Sequence, residues 1–172
     1  MKKLLAFLLA AVMLLALAAC QNDTPTTPDA PKEPDGKGNV TEGAYSFTLG
    51  GVELIPGTAF DASALPEAES VTQVPSCANQ GTDNLYNYGT MEVTAFNDGS
   101  GEVIYSVYIF DPNTPTPEGL YLGDGLEQVE TLYGTDYTTD GTQLTFQKGE
   151  TLLILLLEND QVISIDYRWA FE

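Results

Sequence analysis

Histidine is absent from all 172 residues, and cysteine occurs only as Cys20 and Cys77. Without imidazole there is no His-based triad to activate a serine or cysteine, and two isolated thiols cannot build the usual zinc sites. Positive charge is scarce as well: six Lys and Arg stand against 25 Asp and Glu, for a net charge of −19. Such a chain repels phosphate backbones and anionic headgroups, which excludes nucleic acid as a partner. Long hydrophobic runs are missing everywhere except at the start, and that one exception says where the protein works.

Lys2 and Lys3 form a short positive segment ahead of Leu4 to Leu17, an almost unbroken run of Leu, Ala, Val, Phe and Met. The run is shorter than the roughly 20 residues a membrane span needs, so it reads as an export signal. It stops at Leu17-Ala18-Ala19-Cys20, which resembles the lipobox of bacterial lipoproteins. The resemblance implies that residues 1–19 are cut away and that Cys20 carries a diacylglyceryl group on its sulfur. At about 0.8 kcal/mol per buried methylene, two acyl chains hold a protein on a membrane that one chain would let go. The expected location is the extracytoplasmic face of the cell membrane. Losing Lys2 and Lys3 with the signal takes the net charge from −19 to −21. It also leaves Cys77 as the only free thiol, so no intramolecular disulfide is expected.

From Cys20 to Asn39 the chain holds four prolines and no large apolar side chain. Nothing there can offset the entropy of ordering it, and the stretch is expected to be a disordered tether. Residues 40–172 are then one domain, large enough for a real core.

Within that domain two halves, about 40–112 and 113–172, echo one another. "GGVELIPG" is matched by "EGLYLGDG", and "EVIYSVYIFD" by "QVISIDYRW", with Ser106 against Ser164. In the second half Asp124 and Glu127 have capping-box spacing, Leu126, Val129 and Leu132 share a helical face, and Gly134 suits a helix stop. A helix over 125–133 is expected, followed by strands in "QLTFQ", "TLLILLLE" and "QVISIDYRWAF" joined by tight turns. In the first half a shorter helix after Thr58, stopped by Pro66, precedes strands at 85–88, 91–96 and 103–110. The expected fold is therefore α+β, a tandem repeat of short helix and antiparallel β-meander that forms one antiparallel sheet with helices on one face.

Alternation assigns the faces. Ile163, Ile165, Tyr167 and Trp169 should point to the core, with Ser164, Asp166 and Arg168 opposite. Tyr105, Val107 and Ile109 should likewise be buried, leaving Ser106, Tyr108 and Phe110 on the open face. Leu152 to Leu157 is apolar on both sides, as in an interior strand. Aromatic side chains on an open sheet face suit a binding surface, so Tyr108, Phe110 and Arg168 are the candidate contact residues.

The lipobox, the tether and segments such as "VPSCANQGTDNLYNY" and "TPEGLYLGDGLEQVETLYGTDY" resemble small lipoproteins of Gram-positive anaerobes. In build, a glycine-bounded helix followed by a meander is similar to the repeat of β-lactamase inhibitory protein and of small outer-membrane-assembly lipoproteins. Those relatives imply protein binding through a sheet face. This chain departs from them in lacking paired cysteines.

Other candidate chemistry has a plainer explanation. Cys77 has no basic neighbour in sequence to lower its pKa and is expected to be buried. Asp83 is expected to shape a turn, "NDGSGE" to be a hairpin turn rather than a calcium loop, and "DPNTPTPEG" to be a linker between the halves. No pair of carboxylates stands out among the 25 acids, so the expectation is a non-enzymatic module without metal or cofactor. The function read from the sequence is lipid-anchored binding of a protein partner. An envelope-assembly or inhibitor-like role, and a hydrolase using a carboxylate pair, stand as alternatives.

Overall fold

The structure is a computed structural model and describes residues 43–77 and 80–171. The chain folds into a two-stranded hairpin, β1 (Phe47–Leu49) and β2 (Val52–Leu54), laid on an eight-stranded antiparallel sheet. The sheet comprises β3 (Ser70–Pro75), β4 (Thr82–Asn87), β5 (Met91–Asn97), β6 (Glu102–Ile109), β7 (Thr138–Asp140), β8 (Gln143–Lys148), β9 (Thr151–Glu158) and β10 (Gln161–Trp169). The one α-helix among the described residues, α1 (Leu126–Tyr133), stands between β6 and β7.

The α+β expectation is overturned, because the described residues are mostly β and carry one short helix rather than a helix on each half. The physical reason is local. Asp61 caps the first-half segment by accepting the Ser63 N–H at 2.9 Å, but Pro66 follows closely and holds Leu65 extended. Only a single 3-10 turn, Ala62–Ala64, fits between cap and proline. In the second half no such block exists and α1 forms close to its expected bounds. Its start differs from the capping box: Asp124 accepts the Tyr121 N–H at 2.8 Å, and Gly125 caps without a side chain. The first turn is instead tied to the β9–β10 hairpin through Leu126 N–H to the Asp160 carbonyl at 3.2 Å.

Each half does contribute a four-stranded meander. The order across the sheet is β3-β4-β5-β6-β10-β9-β8-β7, so the two meanders meet edge to edge at β6 and β10. The turns follow their chemistry. Gly50 and Gly51, both at positive φ, close β1–β2, and Asn159 and Asp160, at φ 51° and 62°, close β9–β10 in the left-handed region that Asn and Asp tolerate. The "NDGSGE" stretch turns β5 into β6, as expected.

The core lies on one face. Val93, Val107, Ile109, Leu153, Leu155, Ile165 and Tyr167 are fully inaccessible on the sheet. Tyr45, Phe47 and Leu54 from the hairpin region, Phe60, Leu120 and Val129 cover them. Each such side chain contributes on the order of 1.5–3 kcal/mol by leaving water. Tyr167 sits at the centre, its ring 6.4 Å from Tyr45 and 6.2 Å from Phe47.

Candidate functional site

The face of the sheet away from this core is built by two β-bulges that the alternation rule did not foresee. On β6 the pairing with β5 shifts between Thr94 and Ala95, where Thr94 opposes Ser106 and Ala95 opposes Ile104. On β10 it shifts between Val162 and Ser164. An extra residue in one strand exchanges the faces beyond it. Ile104 and Val162 are therefore the core residues, and two of the expected inward side chains are corrected: Tyr105 is only half-buried and Ile163 is 46% exposed. Val107, Ile109, Ile165 and Tyr167 point inward as expected.

Beyond the bulges the pairing places the candidate residues side by side. Asp166 faces Tyr108 on β6 and Ile154 on β9, and Arg168 faces Ser106 and Leu152. Phe110 follows Ile109, the partner of Ile165, and so lies beside Ser164 and the bulge residue Ile163. The Tyr108 and Phe110 rings are 6.4 Å apart at 41°. Tyr108 and Phe110 are each 37% exposed and Leu156 is 36% exposed. Tyr108, Phe110 and Arg168 thus share one open face, with Leu156 and Ile163 extending it.

The residue that sequence reasoning did not single out is Asp166. It lies on this face yet is buried, and its Oδ2 accepts a hydrogen bond from Arg168 Nη2, two residues along the same strand. Burial pushes its carboxyl up to about 6, while the Arg168 guanidinium and the Ser106 hydroxyl pull the other way. Oδ1 of Asp166 and Nε of Arg168 are both buried without a hydrogen-bond partner. The guanidinium also lies 6.0 Å from the Tyr105 ring centroid. Arg168 and Lys148 are the two cations among the described residues, against 19 acids. The i, i+2 spacing of Asp166 and Arg168 on a strand was the available signal; what the sequence did not show is that the flanking side chains bury the acid.

Glu102 accepts from the Tyr86 hydroxyl at 3.0 Å and from Asn84 Nδ2, and Asn84 in turn accepts from Gln73 at 2.9 Å. Desolvation and this bond to Glu102 push the Tyr86 phenol up to about 12. A cleft of about 650 Å³ at the end of the sheet is lined by Gln147, Gly149, Glu150, Leu152, Trp169, Ala170 and Phe171, with one carboxylate among them. Among the described residues no three His, Cys, Asp or Glu are grouped to hold a metal ion.

Cys77 is exposed, which corrects the expectation of a buried thiol. Asp83 lies in β4 rather than in a turn. Cys20, the expected lipid attachment point, lies outside the described residues, as do the signal and the tether. Comparison with protein-family models, curated protein sequences and solved structures found no match to this chain.

Proposed function

We propose that this chain is a lipid-anchored, extracytoplasmic interaction module that holds a protein partner against the open face of its sheet. The observation that carries the reading is the gathering of Tyr108, Phe110, Leu156 and Ile163, four of the eight large apolar side chains exposed among the described residues, on that one face. Aromatic side chains beside an arginine are the composition that protein interfaces favour. The excess of acids over bases in the domain favours a partner whose contact rim is basic.

The anchor rests on Cys20 and its lipobox context, and the Pro-rich tether supplies reach from the bilayer. An inhibitor-like role drew on a helix in each half, and the first half forms only a 3-10 turn. A hydrolase needs converging acids, whereas the cleft at the end of the sheet has Glu150 as its one carboxylate.

The test is capture from the native envelope by tagged full-length protein, beside folded Tyr108→Ala and Phe110→Ala variants. One protein retained by the parent and lost by both variants supports the reading. Capture indifferent to both substitutions removes the face from it.

A further inference from the structure

The two edges of the large sheet are unequal. At one end β7 is three residues long and carries Asp140. At the other, β3 runs six residues, Ser-Val-Thr-Gln-Val-Pro, every one exposed and none charged. Natural edge strands are kept from pairing by brevity, charge or bulges. β7 has the first two of these; β3 has only Pro75 at its far end. Val71 is 56% and Val74 37% exposed, so β3 is a β-prone ribbon standing clear of the core.

Its free hydrogen-bonding side can be worked out. Tyr88 N–H donates to the Met91 carbonyl, and Ser76 N–H to the Gly81 carbonyl. Antiparallel bonding alternates residue by residue, so the β3–β4 register commits Ser70, Thr72 and Val74 to β4. Val71 and Gln73 then direct their N–H and C=O groups outward, while Pro75 offers a carbonyl alone.

We propose that the β3 edge is a second binding site, which takes up an extended, lysine- or arginine-bearing segment of another protein as a ninth strand. Such strand addition draws affinity from main-chain hydrogen bonds. Charge selects the occupant. Glu67 and Glu69 lie just before β3 and Asp83 is paired opposite Val74, and the described residues hold 19 acids against two bases. A second copy brings the same negative charge to the same edge. The chain's own tether is also a poor fit, because Pro25, Pro28, Pro31 and Pro34 are three residues apart. That spacing alternates parity, so in any register a proline lacking its N–H falls on the pairing side. This site is distinct from the Tyr108 face and does not depend on it.

The probe is a fluorescent nine-residue peptide of alternating lysine and valine, titrated by anisotropy into full-length protein in detergent at physiological salt. A matched peptide N-methylated at alternate residues keeps charge and side chains but cannot complete the ladder. Saturable binding that weakens at least tenfold with the N-methylated peptide and with Gln73→Pro, and that is unchanged by Tyr108→Ala, is the expected result. No binding, or binding indifferent to N-methylation, overturns the proposal. Sedimentation as a dimer that Gln73→Pro dissolves would assign the edge to a second copy and overturn it equally.

Discussion

Asp166 and Tyr108 stand opposite one another across the seam where the two meanders meet, the acid buried and the phenol ring partly in solvent. That pairing puts a titrating carboxylate beneath the proposed contact surface, and it makes the seam both the structural joint of the sheet and the floor of its open face.

The pH dependence follows from Asp166. Its folded-state pKa, about 6, lies above the ordinary 3.8, so the folded protein holds a proton that the unfolded chain releases. The stabilisation this provides is fully present below the unfolded value and is lost as pH rises through about 6. Its size is of order 3 kcal/mol, about two pH units at roughly 1.4 kcal/mol each. Asp166→Asn should therefore gain stability relative to the parent on going from about pH 4 to about pH 7 in urea unfolding. Parallel curves for the two proteins would show that Asp166 is not shifted.

Two tyrosines near the core should respond in opposite directions to loss of the hydroxyl. Tyr133 donates its hydroxyl proton to Glu118 Oε2 at 2.8 Å and lies 2.7 Å from Thr116 Oγ1, whereas the Tyr167 hydroxyl is buried with no hydrogen bond of ordinary geometry. Tyr133→Phe should cost about 1 kcal/mol, and Tyr167→Phe should be neutral or stabilising by about 1 kcal/mol. Chemical denaturation distinguishes them, and a loss of more than about 2 kcal/mol in Tyr167→Phe would mean its hydroxyl is bonded after all.

Gly57 carries φ +89°, and a Cβ there would fall 2.8 Å from Trp169 Cδ1. Strain and overlap together predict that Gly57→Ala costs about 2–3 kcal/mol. Because Trp169 is the only tryptophan, its emission maximum should move in the same variant. An unchanged spectrum and midpoint would contradict this packing.

The proposed lipid anchor can be tested separately. Cys20→Ala should leave the protein unlipidated and absent from the fraction that retains the parent on membranes. Recovery of the variant there at parental levels would refute the assigned address.

The parts of this fold legible in the sequence are those set by neighbours in the chain. "TLLILLLE" and "QVISIDYRW" alternate over strand lengths, and "END" and "NDGSGE" turn where their residues permit, so six of the meander strands could be read directly. "FTLGGVEL" had the two-glycine signature of a hairpin and could have been read as β1–β2. The rest depended on long-range pairing. Both bulges lie within a meander, one in the β5–β6 pairing and one in the β9–β10 pairing, and a bulge leaves no mark in alternation beyond one apolar residue out of phase: Ile104 in one strand, Val162 in the other. Tyr108 and Phe110 lie past the β6 bulge in the direction that keeps phase with Val107 and Ile109, and Arg168 lies past the β10 bulge in phase with Ile165 and Tyr167, so simple alternation already put all three on the open face. Asp166 was placed on the right face, but its burial depends on Tyr108, Ile154 and Arg168 closing around it, which no local pattern encodes.

The open sheet face can be tested in place. A photo-crosslinking phenylalanine analogue put at Tyr108 in the anchored, full-length protein should, on irradiation of intact cells, yield one adduct of defined mass. The same analogue at Tyr121, which is 41% exposed in the loop before α1, serves as the comparison. An adduct from position 108 that is missing from position 121, and that Phe110→Ala reduces, is the result expected of an interaction module using this face. Equal adducts from both positions, or none from 108 while the protein is folded and anchored, would contradict it.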